Sequence, residues 1–183
     1  MRILLHDLQP DPLEFDRQFS AGEIDYGKEV RQTAPLTIEG RADLVEEHHG
    51  PHQTVEDIRV RGKYSSEFEL LCARCLEPVP ESLTGEFDLL YRPIGVDSGA
   101  DEHSITTSET EIGYYQGDGL ELEDVLREQV LLSLPARVLC SPECKGLCPH
   151  CGQDLNSANC SCTQSSPDPR WSALSELRPR IKS

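Results

Sequence analysis

The sequence predicts an α+β, β-rich fold: an antiparallel sheet or partly closed barrel covered by one main helix, with a C-terminal Cys-rich segment shaped by metal. Three observations point there. Apolar and polar residues alternate over several long stretches, the period of half-buried strands. One stretch alone, "LELEDVLREQVLLSLP", shifts to helical spacing. And the run "CSPECKGLCPHCGQDLNSANCSC", residues 140–162, holds six of the chain's eight cysteines.

The elements follow in order. "RILLH" reads as a short strand near the start. In "PLTIEGRADLV", Leu36, Ile38, Gly40, Ala42 and Leu44 share one face, and Thr37, Glu39, Arg41 and Asp43 the other. From Ile58 to Cys72 the even positions are apolar or small, and from Val79 the odd positions read Leu83, Gly85, Phe87, Leu89 and Tyr91. Such one-sided patterning belongs to antiparallel sheet. The 58–72 run is long for one strand, so a bend or bulge is expected near Gly62, Tyr64 or Ser65. Between these runs "CARCLEPVP" places Cys72 and Cys75 at a hairpin tip, where Pro78 and Pro80 limit ladder bonding. Residues 93–119 read as an acidic loop containing a short strand at Ile112–Tyr115. In the helix, Leu122, Val125, Leu126, Gln129, Val130 and Ser133 fall on one stripe. Glu121, Glu123 and Asp124 suit its positive N-terminal end, and Pro135 stops it.

Charge divides the chain. Net charge is −16, yet residues 135–183 hold six Lys/Arg against four Asp/Glu, so the remaining 11 bases and 29 acids leave residues 1–134 at −18. Such a body repels a phosphate backbone. Nucleic acid contact therefore falls to the C-terminal part, and the body suits a basic protein partner. Three regions result: a β-rich acidic body with CxxC hairpin and helix (1–134), a Cys-rich metal-binding segment (135–166) and a basic tail (167–183). The opening "MRILLHD" has one basic residue and a three-residue apolar run. That is no export signal or membrane span, and a cytoplasmic, reducing setting is expected.

In a reducing compartment, clustered cysteines are metal ligands or redox groups before they are disulfides. Cys148-Pro149-His150-Cys151-Gly152 has the form of a zinc knuckle: backbone amides donate to the sulfurs, and the glycine permits a positive φ after the second ligand. Cys140 and Cys144, and Cys160 and Cys162, supply further ligands. Either pair can complete a tetrahedron with Cys148 and Cys151. Cys72 and Cys75 can then join the pair left over in a second site, clamping the hairpin to the C-terminal segment. One or two Zn2+ ions are expected, structural rather than catalytic, with Arg74 and Lys145 offsetting the thiolate charge. An iron–sulfur cluster uses the same ligand type and is the alternative. Read alone, Cys72 and Cys75 can instead form a redox dithiol, although strand patterning on both sides contrasts with the helix N-terminus such sites use. "EEHHGPHQ" reads as a solvated loop. No GxSxG, P-loop or dinucleotide fingerprint appears, so no catalytic residues are expected.

"CARCLEPV", followed downstream by "CSPECKGLCPHCGQDLNSANCSC" and then "DPRWSAL", resembles the YceD family, the large ribosomal RNA subunit accumulation proteins. "ILLHDLQPDPLEFDRQF", "EIDYG" and "ELEDVLREQVLLSLP" extend the likeness over nearly the whole chain. The resemblance implies a non-enzymatic role in accumulation or processing of large-subunit (23S) ribosomal RNA during ribosome assembly. The expected partners are that RNA or its precursor particle, or a basic ribosomal protein, with no membrane and no small-molecule substrate. The candidate contact residues are Lys145, Arg170, Trp171, Arg178, Arg180 and Lys182. An indole can stack on an unpaired base while guanidinium groups meet phosphates, or it can pack on the protein's own surface. A zinc-ribbon adaptor in transcription and a CxxC redox or metal-transfer protein are the rival readings.

Overall fold

A computed structural model describes residues 1–48, 54–96 and 112–162. Alternation becomes strand as expected. The strands of the main sheet are β2 (Leu13–Phe19), β3 (Val30–Gln32), β4 (Leu36–His48), β5 (Thr54–Leu71), β6 (Pro78–Pro93) and β7 (Ile112–Tyr115). Their order is β2-β4-β5-β6-β7, with β3 continuing along β5 where β4 stops. A separate antiparallel pair joins β1 (Arg2–Leu4) to β8 (Gly119–Glu121), just before the helix α1 (Leu122–Ser133). The sheet is open among the described residues, because β2 and β7 do not pair, so the partly closed barrel is corrected to an open sheet. Nor is it wholly antiparallel: β7 lies parallel to β6, Leu90 opposite Ile112. No helix of the described residues is long and apolar enough to cross a membrane.

The expected bend in the 58–72 run is absent. β5 stays in one register with β6 from Ile58↔Tyr91 to Leu71↔Pro78. The irregularity sits in its other neighbour. Val30 pairs with Leu70, whereas Thr37 pairs with Ser65, so two extra residues are accommodated around 33–35. Pro35 has no N–H to give a ladder there. The loosened carbonyl of Ala34 instead accepts from Ser66 Oγ (2.9 Å) and Gln32 Nε2 (2.8 Å). The two prolines of β6 are placed by the same logic. Cys72 N–H donates to Glu77 O (2.9 Å), and bonded pairs alternate. Pro78 and Pro80 therefore fall at non-bonded pairs, where a missing donor costs nothing.

The inward face of β5, with Ile58, Val60, Tyr64 and Phe68, is buried beneath α1, whose Leu122, Val125, Leu126 and Val130 are buried in turn. Each such side chain contributes about 2 kcal/mol of burial. Tyr64 fixes the helix in place: its hydroxyl donates to Gln129 O (3.1 Å) and meets Ser133 Oγ (2.8 Å). The ring reaches that far because it lies over Gly85, where an added Cβ would stand 2.5 Å from it. On the outward face the residues are charged and paired, as in Arg59–Asp88 (2.6 Å) and Arg61–Asp43 (2.5 Å). An exposed pair such as Arg59–Asp88 contributes little.

One outward-facing pair differs. Asp57 is fully buried and Arg92 nearly so, joined through Nε (3.2 Å) and Nη2 (2.8 Å) of the arginine, with Glu47 on the same guanidinium. Arg92→Ala would leave a buried carboxylate without its cation, and a loss of about 3–5 kcal/mol is expected from urea unfolding. A loss below about 1 kcal/mol, as at an exposed pair, would show that Asp57 is hydrated.

Candidate metal centre

Two different elements carry the first group of thiols. The β5–β6 hairpin turns through residues 72–77, with Leu76 N–H donating to Cys72 O (2.9 Å). This places Cys72 and Cys75 at its tip. Cys140 and Cys144 come from the chain after α1, which docks on the tip through backbone bonds: Ala73 N–H to Val138 O (2.9 Å) and Leu147 N–H to Arg74 O (3.0 Å). Arg74 adds side-chain bonds from its Nη1 to the carbonyls of Cys144 (2.7 Å) and Pro142 (3.3 Å). The sulfurs of Cys72, Cys75, Cys140 and Cys144 all lie within 4.8 Å of one another. Cys72 and Cys144 stand 3.8 Å apart, and Cys75 and Cys140 3.5 Å.

The second group is local. Cys148, Cys151, Cys160 and Cys162 also bring their sulfurs within 4.8 Å. Gly152 N–H donates to Cys148 O (2.9 Å) at φ 74°, and His150 N–H points to Cys148 Sγ (3.5 Å). The knuckle expected of "CPHCG" is therefore formed, and "CARCL" repeats it with leucine in place of glycine. Leu76 adopts φ 63°, the only non-glycine positive φ among the described residues. An L-side chain in that region costs about 1–2 kcal/mol. The two groups are linked by the Leu147–Asp154 bridge and by Asn156. Asn156 accepts from Lys145 N–H (2.8 Å) and donates to Cys144 Sγ (3.4 Å) and Asp154 Oδ1 (2.8 Å).

This donor set fits a metal ion. A tetrahedral ion with metal–sulfur bonds near 2.3 Å separates its sulfurs by roughly 3.8 Å, the spacing seen here. A multi-iron cluster spreads its thiolates over several metal atoms and needs a wider cage. Neither group includes a histidine or carboxylate, so each is closed, as structural sites are. Titration tells the same story. Backbone amides, that of Cys140 foremost, lower Cys72 to about 6, and those of Cys151 and His150 lower Cys148 to about 6. At Cys144 burial pushes upward but is outweighed by the Asn156 side chain and the Gly146 amide. Crowding raises the rest. Cys140 is pushed to about 12 by Cys75 and Cys144, and Cys162 to about 12 by Cys151. Cys75 rises despite the Glu77 amide through burial and Cys72, and Cys160 rises despite the Cys162 amide because of Cys148. Four such sulfurs ionise together only around a cation.

Of the residues expected to meet RNA or a partner, Lys145 is exposed beside the first group. Arg170, Trp171, Arg178, Arg180 and Lys182 lie outside the described residues, as do His49 and His52. Arg74 and Asn156 brace the thiol groups in ways the sequence reading missed. The only sequence signal for Asn156 was a pair of Asx residues, Asp154 and Asn156, spaced for a local turn.

Fold and site together define a sheet-bodied protein with two four-thiol groups that could hold metal ions, one shared between the β5–β6 hairpin tip and the chain after α1, the other within the C-terminal segment. A family model described as "Large ribosomal RNA subunit accumulation protein YceD" matches residues 60–178, and the chain belongs to that family. An uncharacterized protein of Mycobacterium tuberculosis is 35% identical over 122 residues, 67% of this chain and 56% of its own length. The chloroplastic YCED homolog 1 of Zea mays is 26% identical over 57% of this chain and 44% of its own. That of Arabidopsis thaliana is 26% identical over 68% and 46%. The chain thus spans about half the length of the curated relatives it matches. No solved structure matches it.

Metal addition to the reduced, metal-free chain at pH 7.5 should release protons, at least two per group, because Cys75, Cys140, Cys160 and Cys162 are protonated there. A pH indicator in dilute buffer reads the count. Binding without proton release would mean that ligands other than these thiols hold the ion.

Proposed function

We propose that this chain is a non-catalytic factor in ribosome biogenesis that supports accumulation or processing of large-subunit ribosomal RNA. Membership of the YceD family carries the reading, together with the names of the plant relatives. The geometry supplies a mechanism. Two Zn2+ ions, one on each thiol group, tie the C-terminal segment to the hairpin tip and supply rigid cross-links there. The net positive segment is thereby fixed against a body of charge −18. Lys145, Arg170, Arg178, Arg180 and Lys182 then form the RNA-facing side, while the acidic body turns away from phosphate and faces a basic ribosomal protein. The burial of Cys72 and Cys75 supports a structural role over thiol exchange, which needs an accessible sulfur.

The test is native purification of the tagged chain and sequencing of the RNA that accompanies it. Precursors of the large subunit are expected. Reversing Arg178, Arg180 and Lys182 to Glu should lower their recovery and flatten its salt dependence, by about one in log–log slope for each phosphate no longer neutralised. Undiminished recovery, or enrichment of RNA polymerase instead, would contradict the proposal.

A further inference from the structure

The hairpin tip presents apolar side chains that the described residues leave uncovered. Leu76 is 58% exposed and Leu71 43%. Across from them, the last turn of α1 adds Leu131, and the connection to the first cysteine pair adds Leu134 and Val138. With Val30 these residues line a groove of about 350 Å³ whose rim bears Glu29 and Arg137. Leu132, 73% exposed, extends the apolar surface along the helix.

Leu76 is the telling residue. The matching position in the second knuckle is Gly152, with the same amide-to-carbonyl bond and a similar φ. Glycine serves that backbone without strain. A leucine there opposes the local conformation and buries little in return. Its side chain makes sense as part of a contact that the described residues do not complete.

We propose that the groove is filled by residues 171–177 of this same chain, with Trp171, Leu174 and Leu177 as the inserted side chains. Three observations favour that occupant. These positions recur every three residues in "WSALSEL", so a helix there would bring them to a single face, with Ser172, Ser175 and Glu176 off it. The chain reaches: eight residues separate Cys162 from Trp171, and the nine Cα-to-Cα steps span up to roughly 30 Å. The Cys-rich segment that the spacer must cross is about 20 Å wide by compact-chain scaling. And charge agrees, since Arg170 and Arg178 flank the apolar positions while Glu176 lies among them, against a rim of Glu29 and Arg137. The family match also begins within β5, which forms one wall, and ends one residue beyond Leu177.

Docking there assigns Trp171 to protein packing rather than base stacking. It also sets Arg170, Arg178, Arg180 and Lys182 beside the metal-bound segment. The inference stands without RNA contact, and its test contains no RNA, so the two readings succeed or fail separately. Trp171 is the chain's only tryptophan and reports its own surroundings. In the full chain as purified, its emission should lie to the blue of that of a peptide of residues 163–183. Iodide quenching should be several-fold weaker, and both should be independent of protein concentration. Leu76→Gly relieves the backbone and should keep the metal content, yet move emission and quenching towards the peptide values. Leu131→Glu should do the same from the opposite wall. Peptide-like emission in the unaltered chain would overturn the proposal. So would shielding that survives both substitutions, or shielding that grows with concentration, which would mark a second copy as the occupant.

Discussion

The C-terminal segment depends on sulfur converging from opposite parts of the chain. Cys75 and Cys140 are 65 residues apart in sequence and 3.5 Å apart in space. A cross-link closing such a loop removes about 4 kcal/mol worth of chain entropy from the unfolded state, by the same reasoning used for disulfides. The second group closes a loop of only a few residues between Cys151 and Cys160, worth about 3 kcal/mol on the same scale. Ions held there would make the first group a long-range staple and the second a local brace. Packing does not replace either. The cluster around the first group contains three buried cysteines, with Val79, Leu139 and Leu147 partly buried beside them. Among the described residues this is a small apolar core for a segment of that length, and a metal ion on the thiols would add the cross-link it lacks.

The body has the reverse economy. Its hydrophobic core is continuous, running from Ile3 and Leu8 through the β5 face to Val130 of the helix. Close approach, not just apolarity, shapes it: Tyr64 meets the helix only because Gly85 has no side chain. The body also carries the chain's negative charge, outward along the strands, where ion pairs balance part of it. A metal ion at the first group would tie this acidic body to the segment in whose sequence Lys and Arg outnumber Asp and Glu.

Much of this was legible in the sequence because its signals are local. Even positions from Ile58 to Cys72 are apolar or small, and each is buried. The helix announced itself by a change of period, and "CARC" between two strand patterns marked a hairpin tip. What escaped was non-local. The two extra residues around 33–35 are defined only by the register against β5, so the irregularity was expected in the wrong strand. The parallel pairing of β7 depends on where a connection returns, which alternation does not encode. Asp57 and Arg92 occupy positions of outward parity and gave no sign of burial. Spacing identified four cysteine pairs but left open which pairs would meet, because that depends on how the segment after α1 docks on the hairpin. Leu76 looked like any surface leucine until its backbone was seen to match Gly152.

The central claim is that eight thiolates bind two ions and that the first ion staples the hairpin to the C-terminal segment. Native mass spectrometry of the reduced chain, paired with X-ray absorption at the metal edge, tests it most directly. The account predicts two zinc ions per chain, coordinated by sulfur alone at about 2.3 Å. A folded chain that holds one ion or none with every cysteine reduced, or ions bound through nitrogen or oxygen, would contradict it.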